Sequence, residues 1–331
     1  GDAPSDAADV NHWMLYLQPW RHYYGAPGFY SPAWKPVPAT KHTAMITHAD
    51  DPLKVRIIRE AMEKVLDAAV CMSRMTMAEL AAHAIDPGRL TYINPAHDGR
   101  VNPRRVVVGI TSRLYPDARK REDYLLEVAR SIPLDAFRFE IIGEGWDEVA
   151  AILRNSGAEV DLFTDLAYEA ILVRLANFDY YLYMGWDEGS MGTLDALAAG
   201  VKTIVTPQGF HLDLPEGITH SFRDAEELTE VFRSIAADRQ MRIDSVRDLT
   251  WSEYARKHAM VWRALLEGRS LAEVTPAGTG PIAPAAVVEA HRRGRSRLFK
   301  SEFWPFYMES RKFWARGKVS RFKRWLLRRQ T

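Results

Sequence analysis

Phe178-Asp-Tyr-Tyr-Leu-Tyr-Met-Gly-Trp-Asp-Glu-Gly-Ser-Met-Gly-Thr-Leu-Asp-Ala-Leu-Ala-Ala-Gly-Val-Lys-Thr-Ile-Val205 is the stretch whose reading decides the fold. The run from Phe178 to Met184 predicts a strand closed by Gly185. Asp187 and Glu188 follow, then a turn of small residues from Gly189 to Gly192. From Thr193 the apolar residues Leu194, Leu197 and Ala198 recur at helical spacing, and Gly200 supplies a C-terminal stop. Val201 to Thr206 predicts the next strand. A turn between a strand and a helix N-terminus offers free N–H groups and positive dipole potential to an anion. Asp195 is expected inside the first turn of that helix, within reach of a ligand. Together these features describe a polar ligand site at the carboxyl edge of a parallel sheet.

Working outward, the same rhythm repeats. Ahead of this stretch lie strands at Val106–Ser112, Phe137–Ile142 and Val160–Phe163, with helices at Tyr124–Ala129, Val149–Leu153 and Tyr168–Ala176. Helices at Ala225–Ala237 and Trp251–Leu266 come after it. The first hundred residues give strands at Trp13–Leu17, His42–Ile46, Ala68–Met72 and Arg89–Ile93. Pro52 opens one helix there, and Ser73 caps another. A loop rich in Pro, Gly and aromatics fills Gln18–Thr40, and at that length it reads as functional. Alternating strands and helices mean parallel sheets covered on both faces. The fold class is therefore α/β, with two Rossmann-like units.

Composition bounds the rest. The chain has 331 residues, 47% hydrophobic and 26% charged, which suits a globular chain of two domains. Its one cysteine, Cys71, excludes an intrachain disulfide framework and fits a reducing compartment. The opening residues lack the basic and apolar regions of a secretory signal. No window has the apolar length of a spanning helix. Between residues 291 and 331, fourteen Lys or Arg face two acids, so this segment carries +12 and the remainder −11 of the net +1. An acidic body with a basic tail is a statement about partners. No zinc-type ligand spacing, Ser-His-Asp set or Walker motif is present, so no metal site is expected. A nucleic-acid binder would rest on the basic tail alone, without a recognition motif.

Solvated acids are ordinary in a turn between strand and helix, but the 186–200 stretch resembles the signature of glycosyltransferase family 4. These are retaining enzymes of the GT-B fold, in which two acids stand eight positions apart before Ala-x-Gly. Asp187 and Asp195 keep that spacing, with aspartate replacing both glutamates, and Gly189, Ser190 and Met191 fill the donor-sugar turn. Glu188 replaces Asp187 as sugar ligand if the turn is shifted by one, and both assignments stay open here. Thr111-Ser-Arg113-Leu114 followed by Lys120 is similar to the family's Gly-Arg-Leu and lysine, with Arg119 as a reserve cation. Ile141-Ile-Gly143-Glu-Gly145 is similar to its next glycine turn. Met45-Ile-Thr-His48 resembles the strand whose histidine meets the donor sugar, and Asp9-Val-Asn-His12 the strand before it. His97-Asp98 falls near the family's hinge. The family's first strand and glycine-rich loop are not matched in this sequence, which implies either an abbreviated first domain or an upstream part that this sequence does not include.

The resemblance implies two Rossmann-like domains facing across a cleft. An abbreviated acceptor-side domain spans 1–103 and a nucleotide-sugar-binding domain 104–270. A linker at 271–290 and a basic aromatic helical tail at 291–331 follow. It implies a retaining, metal-independent transfer from a nucleotide diphosphate sugar to a glycan or lipid-linked acceptor, with no cofactor beyond the donor substrate. His48 and Asp187 would be catalytic. Arg113, Lys120, Gly143, Glu188, Gly189, Ser190, Met191 and Asp195 would bind the donor. The alternative is an inactive scaffold of the same fold that binds a glycan or partner. The expected location is cytoplasmic, with the tail's aromatics and cations on an anionic membrane surface. The same fold also sends a terminal helix back across its first domain, a part open to residues 298–314.

Overall fold

A computed structural model of the chain describes residues 5, 7–14, 37–49, 52–214 and 216–275. The aromatic loop at 15–36, Asp50, Asp51 and the basic tail lie outside these residues. The described chain forms two compact units, one of residues up to 98 together with 249–275, the other of Gly99–Asp248.

The first unit is a parallel sheet of four strands in sequence order: β1 (Val10–Trp13), β2 (Lys41–Ile46), β3 (Ala68–Cys71) and β4 (Leu90–Tyr92). Period-two alternation divides its buried side chains between two faces. Ala44, Ile46, Ala69, Cys71 and Leu90 pack under helix α1 (Pro52–Lys64), through Val55, Ile58 and Met62, and under α2 (Arg74–Ala82), through Leu80. Ser73 caps α2 as expected, its hydroxyl accepting from the Thr76 N–H at 3.1 Å. Met45, Ala68, Val70 and Ile93 face the other way and are buried by Val261, Ala264 and Leu271.

That second face corrects the sequential division. The helix Trp251–Leu266, expected in the second domain, returns to the first unit, because its apolar stripe is what covers this sheet face. Leu271, placed in a linker, is fully buried there. His12 also moves: the strand is Val10–Trp13, so His12 sits inside it, register partner of Thr43, instead of preceding it.

The second unit begins with β5 (Val106–Ile110), α3 (Glu122–Ser131), β6 (Phe137–Ile142), α4 (Asp147–Asn155), β7 (Glu159–Phe163) and α5 (Tyr168–Leu175). It continues with β8 (Tyr180–Tyr183), α6 (Met191–Ala198), β9 (Lys202–Val205), β10 (His220–Ser221) and α7 (Ala225–Asp244). All six strands are parallel, in the order β10-β9-β8-β5-β6-β7. Counted within the unit this is 3-2-1-4-5-6, the doubly wound Rossmann order. Phe137, Phe139, Leu182 and Ile204 pack with α3, α4 and α7 on one face, through Leu125, Val149 and Phe232. Tyr181, Tyr183 and Val205 pack with α5 and α6 on the other, through Leu175 and Ala196. With α8 (Trp251–Leu266) counted in the first unit, no described helix is long and apolar enough to cross a membrane.

Candidate nucleotide-sugar site

The chain runs outward from β5 through β6 to β7, then returns to the other side of β5 through β8. The gap beyond β5 and β8 is therefore the topological switch point, where open parallel sheets leave room for ligands. The expected residues Arg113, Lys120, Asp187 and Ser190 all come from the segments that leave these two strands.

The loops are tied before any ligand enters. Gly143 approaches the backbone after β5 so closely that a Cβ would lie 2.3 Å from the Ser112 carbonyl oxygen. The Trp146 indole N–H donates to that oxygen at 2.6 Å, and the Leu114 N–H donates to the Glu144 carbonyl at 2.9 Å. Gly189, at φ +115°, lets the acidic turn pass under Phe210 and His211, where a side chain would collide. His211 is wholly buried, and its Nδ1 lies 3.0 Å from the Thr206 carbonyl oxygen, which can only accept. Nδ1 therefore carries the proton, and Nε2 accepts from the Ser190 N–H at 3.3 Å and the Thr193 hydroxyl at 3.0 Å.

Inside this frame Lys120 Nζ donates to Asp187 Oδ2 and to the Tyr183 hydroxyl, both at 2.8 Å. Tyr183 donates to Asp187 Oδ1, and the Gly189 N–H reaches the same oxygen at 3.2 Å. The ion pair is partly buried, with side-chain exposures of 13% for Lys120 and 29% for Asp187. Burial alone would raise the Asp187 carboxyl. The bonds from Lys120, Tyr183 and Gly189 outweigh it and hold the group below the usual carboxylate range. Burial, then the carboxylate it serves, pushes the Tyr183 phenol well up, so it stays a donor.

Arg113 is exposed and donates from Nε to the Tyr115 hydroxyl at 2.8 Å. The Tyr115 ring gathers three cations, with Arg119 at 4.3 Å from its centroid, Arg113 at 4.9 Å and Lys120 at 5.8 Å. The expected pair Arg113 and Lys120 thus shares one patch, and Arg119 joins it. Glu188 is exposed, its backbone carbonyl accepting from the Phe210 N–H at 3.0 Å.

Three expectations change. Helix α6 starts at Met191, two residues early, so Met191 is its first residue and Asp195 lies past its first turn. Asp195 accepts from the Tyr168 hydroxyl at 2.9 Å, a bond that, ahead of burial, raises that phenol. Ser190, expected as a sugar ligand, is buried, and its hydroxyl lies 2.8 Å from Tyr181 Oη, itself 2.9 Å from the Thr111 hydroxyl. A side chain turned inward in this way braces the turn and presents nothing to a ligand. His48 lies two residues past β2 in the first unit, its Nδ1 2.8 Å from the Thr47 hydroxyl. Tyr181, Tyr183, Gln208 and His211 escaped the sequence reading. The alternation of Tyr181 and Tyr183 along one strand was the available signal; the Gln208 amide, donating to the Gly185 and Asp187 carbonyls, had none. Among the described residues no group of three or more His, Cys, Asp or Glu converges to hold a metal ion.

No family model and no curated protein matches the chain. Among solved structures it is similar to TarM of S. aureus, one structure of which carries fondaparinux, alpha-GlcNAc-glycerol and UDP. That match is 13% identical, covers 69% of this chain and 51% of the other, and has a TM-score of 0.32. Another is Anabaena HepE with UDP-glucose, at 13% identity, 71% and 70% coverage and a TM-score of 0.33. The lipopolysaccharide outer core galactosyltransferase WaaB gives 14%, 75% and 73%, and 0.34. The chain spans about half the length of the first solved structures it matches, 54%, 51% and 50%. Similarity at this level carries no argument about chemistry, so the site stands on its own geometry.

Proposed function

We propose that the chain is a glycosyltransferase that moves a sugar from a nucleotide diphosphate donor to a hydroxyl acceptor, with retention and without a metal. The observation that carries the reading is the Lys120–Asp187–Tyr183 cluster at the switch point, with Arg113 and Arg119 gathered beside it. A diphosphate offers Lys120 more negative charge than one carboxylate does, so the donor draws the ammonium from Asp187. Lys120, Arg113 and Arg119 then neutralise the charge that builds as the bond from sugar to phosphate breaks. The acceptor oxygen bonds the same face of the carbon, and its proton leaves on the departing phosphate oxygen. Glu188, exposed on the turn, accepts from sugar hydroxyls, and Asp195 with Tyr168 takes the ribose. Asp187 orders Lys120 until the donor arrives. His48, in the first unit, keeps the catalytic role that the family resemblance implies for it. The tail at 311–329 is assigned to an anionic membrane surface, beside a lipid-linked or surface glycan acceptor.

Transfer from a panel of UDP- and GDP-sugars, with the product anomer read by NMR, tests this. Retained configuration is expected, with Glu188→Gln losing roughly tenfold or more in kcat/KM. Hydrolysis and transfer both absent from every donor would contradict it. A second reading, an inactive binding module of the same fold, has one observation in its favour: Asp187 and Asp195 are both already engaged by protein side chains.

A further inference from the structure

The 115–121 loop holds two non-glycine residues with left-handed backbone, Ala118 at φ 52° and Arg121 at φ 53°. L-residues adopt this conformation where their surroundings over-determine it, and such sites cluster where ligands bind. Here the consequence is at Arg121, whose guanidinium lies over the Trp186 indole, 4.3 Å from the ring centroid. The Trp186 N–H donates to the Arg119 carbonyl at 3.0 Å, so the residue is held by backbone as well. The residue is nevertheless 56% exposed. One face is covered by a cation and the acids Asp187 and Glu188 follow directly in sequence, an arrangement suited to stacking on a flat ligand.

We infer that Trp186, positioned by Arg121, is the stacking surface for the sugar ring of the acceptor, an inference that rests on the nucleotide-sugar reading. The two faces of the sheet select this occupant over the nucleobase. Tyr168 and Asp195, assigned to the ribose, belong to α5 and α6, which cover one face of the sheet, and Tyr183, Asp187 and Lys120, assigned to the diphosphate, meet at the ends of β5 and β8. Arg121 immediately precedes α3 on the opposite face, its guanidinium 4.9 Å from the Tyr124 ring centroid there as well as over Trp186, so this pair stands on the side away from the ribose. The donor's own sugar hydroxyls are met by the turn that follows. A pyranose lays its apolar face on the indole and leaves its hydroxyls to water.

The test uses the full chain with 15N-labelled tryptophan, titrated with the methyl glycosides of glucose, galactose, mannose and N-acetylglucosamine. The Trp186 indole signal, recognised by its absence from Trp186→Phe, shifts with at least one glycoside. Trp186→Ala weakens that glycoside about tenfold or more. UDP-glucose affinity in the same variant stays within about twofold of the wild type. A Trp186 signal that moves with none of the four, or moves with UMP instead, overturns the inference. Wild-type protein that fails to bind any UDP- or GDP-sugar removes the donor reading, whereas the glycoside titration decides the stacking surface by itself.

Discussion

Lys120 and Asp187 stand 67 positions apart, and their pairing is the feature of the site that no spacing rule supplies. Both were legible separately, one as a cation after a strand, the other as an acid on a turn. Their bond depends on β5 and β8 being neighbours, which is a property of the sheet order. His12 makes the same point in the first unit. Its ring lies 4.8 Å from that of His258 and 5.7 Å from Trp262, centroid to centroid. The buried Nε2 of His12, both ring nitrogens of His258 and the Trp262 indole nitrogen have no hydrogen-bond partner among the described residues. Burial, then the neighbouring His258, lowers the His12 pKa to about 4 from 6.5. The unfolded chain takes up this proton near pH 6.5 and the folded chain only near pH 4. Stability is thus level above that interval and falls as pH drops through it, by up to about 3 kcal/mol. Urea midpoints at pH 7.5 and 4.5 check this, and His12→Gln should lose part of the difference, since burial lowers the His258 pKa as well; an equal difference in the variant would assign the effect elsewhere.

Elements with a strong local signal were legible almost to the residue. Trp251–Leu266 has its expected bounds, and Pro52 and Ser73 mark their helix starts. Helix α7 runs seven residues past its expected end at Ala237, to Asp244, because the polar stretch there is sustained by pairs such as Arg242–Asp238 and not by apolar periodicity. The two-residue strand β10 is too short to give a pattern. Helix α6 starts early because Ser190 turns its hydroxyl inward to Tyr181, making the cap position buried where the sequence suggests an open turn. At this scale the contact between the β5 and β6 loops is the most exposed to test. Gly143→Ala drives a methyl against the Ser112 carbonyl, and backbone cannot yield as a side-chain tip can. A loss on the order of 2 kcal/mol or more in chemical denaturation is expected, together with weaker nucleotide binding. A variant of unchanged stability would mean the two loops separate easily.

At the scale of the molecule, the chain leaves its first unit after Asp98, folds the second without interruption, and returns at Leu249. The returning helix α8 closes the open face of the first sheet, so the first unit is built from both ends of the described chain. Two Rossmann-like units were legible from the alternation of strands and helices. The destination of α8 was not, because an amphipathic stripe records that a helix is covered and not what covers it. The second unit carries every charged group assigned to the donor, and the central claim concerns Lys120, held by Asp187 until a diphosphate takes it. Calorimetric titration of UDP into the wild-type chain, Lys120→Ala and Asp187→Asn tests that claim most directly. Lys120→Ala should weaken UDP by roughly tenfold to a hundredfold, the worth of a charge-assisted contact. Asp187→Asn, which frees the ammonium, should tighten UDP several-fold. Equal affinity in all three proteins, or weaker binding in Asp187→Asn, would contradict the account.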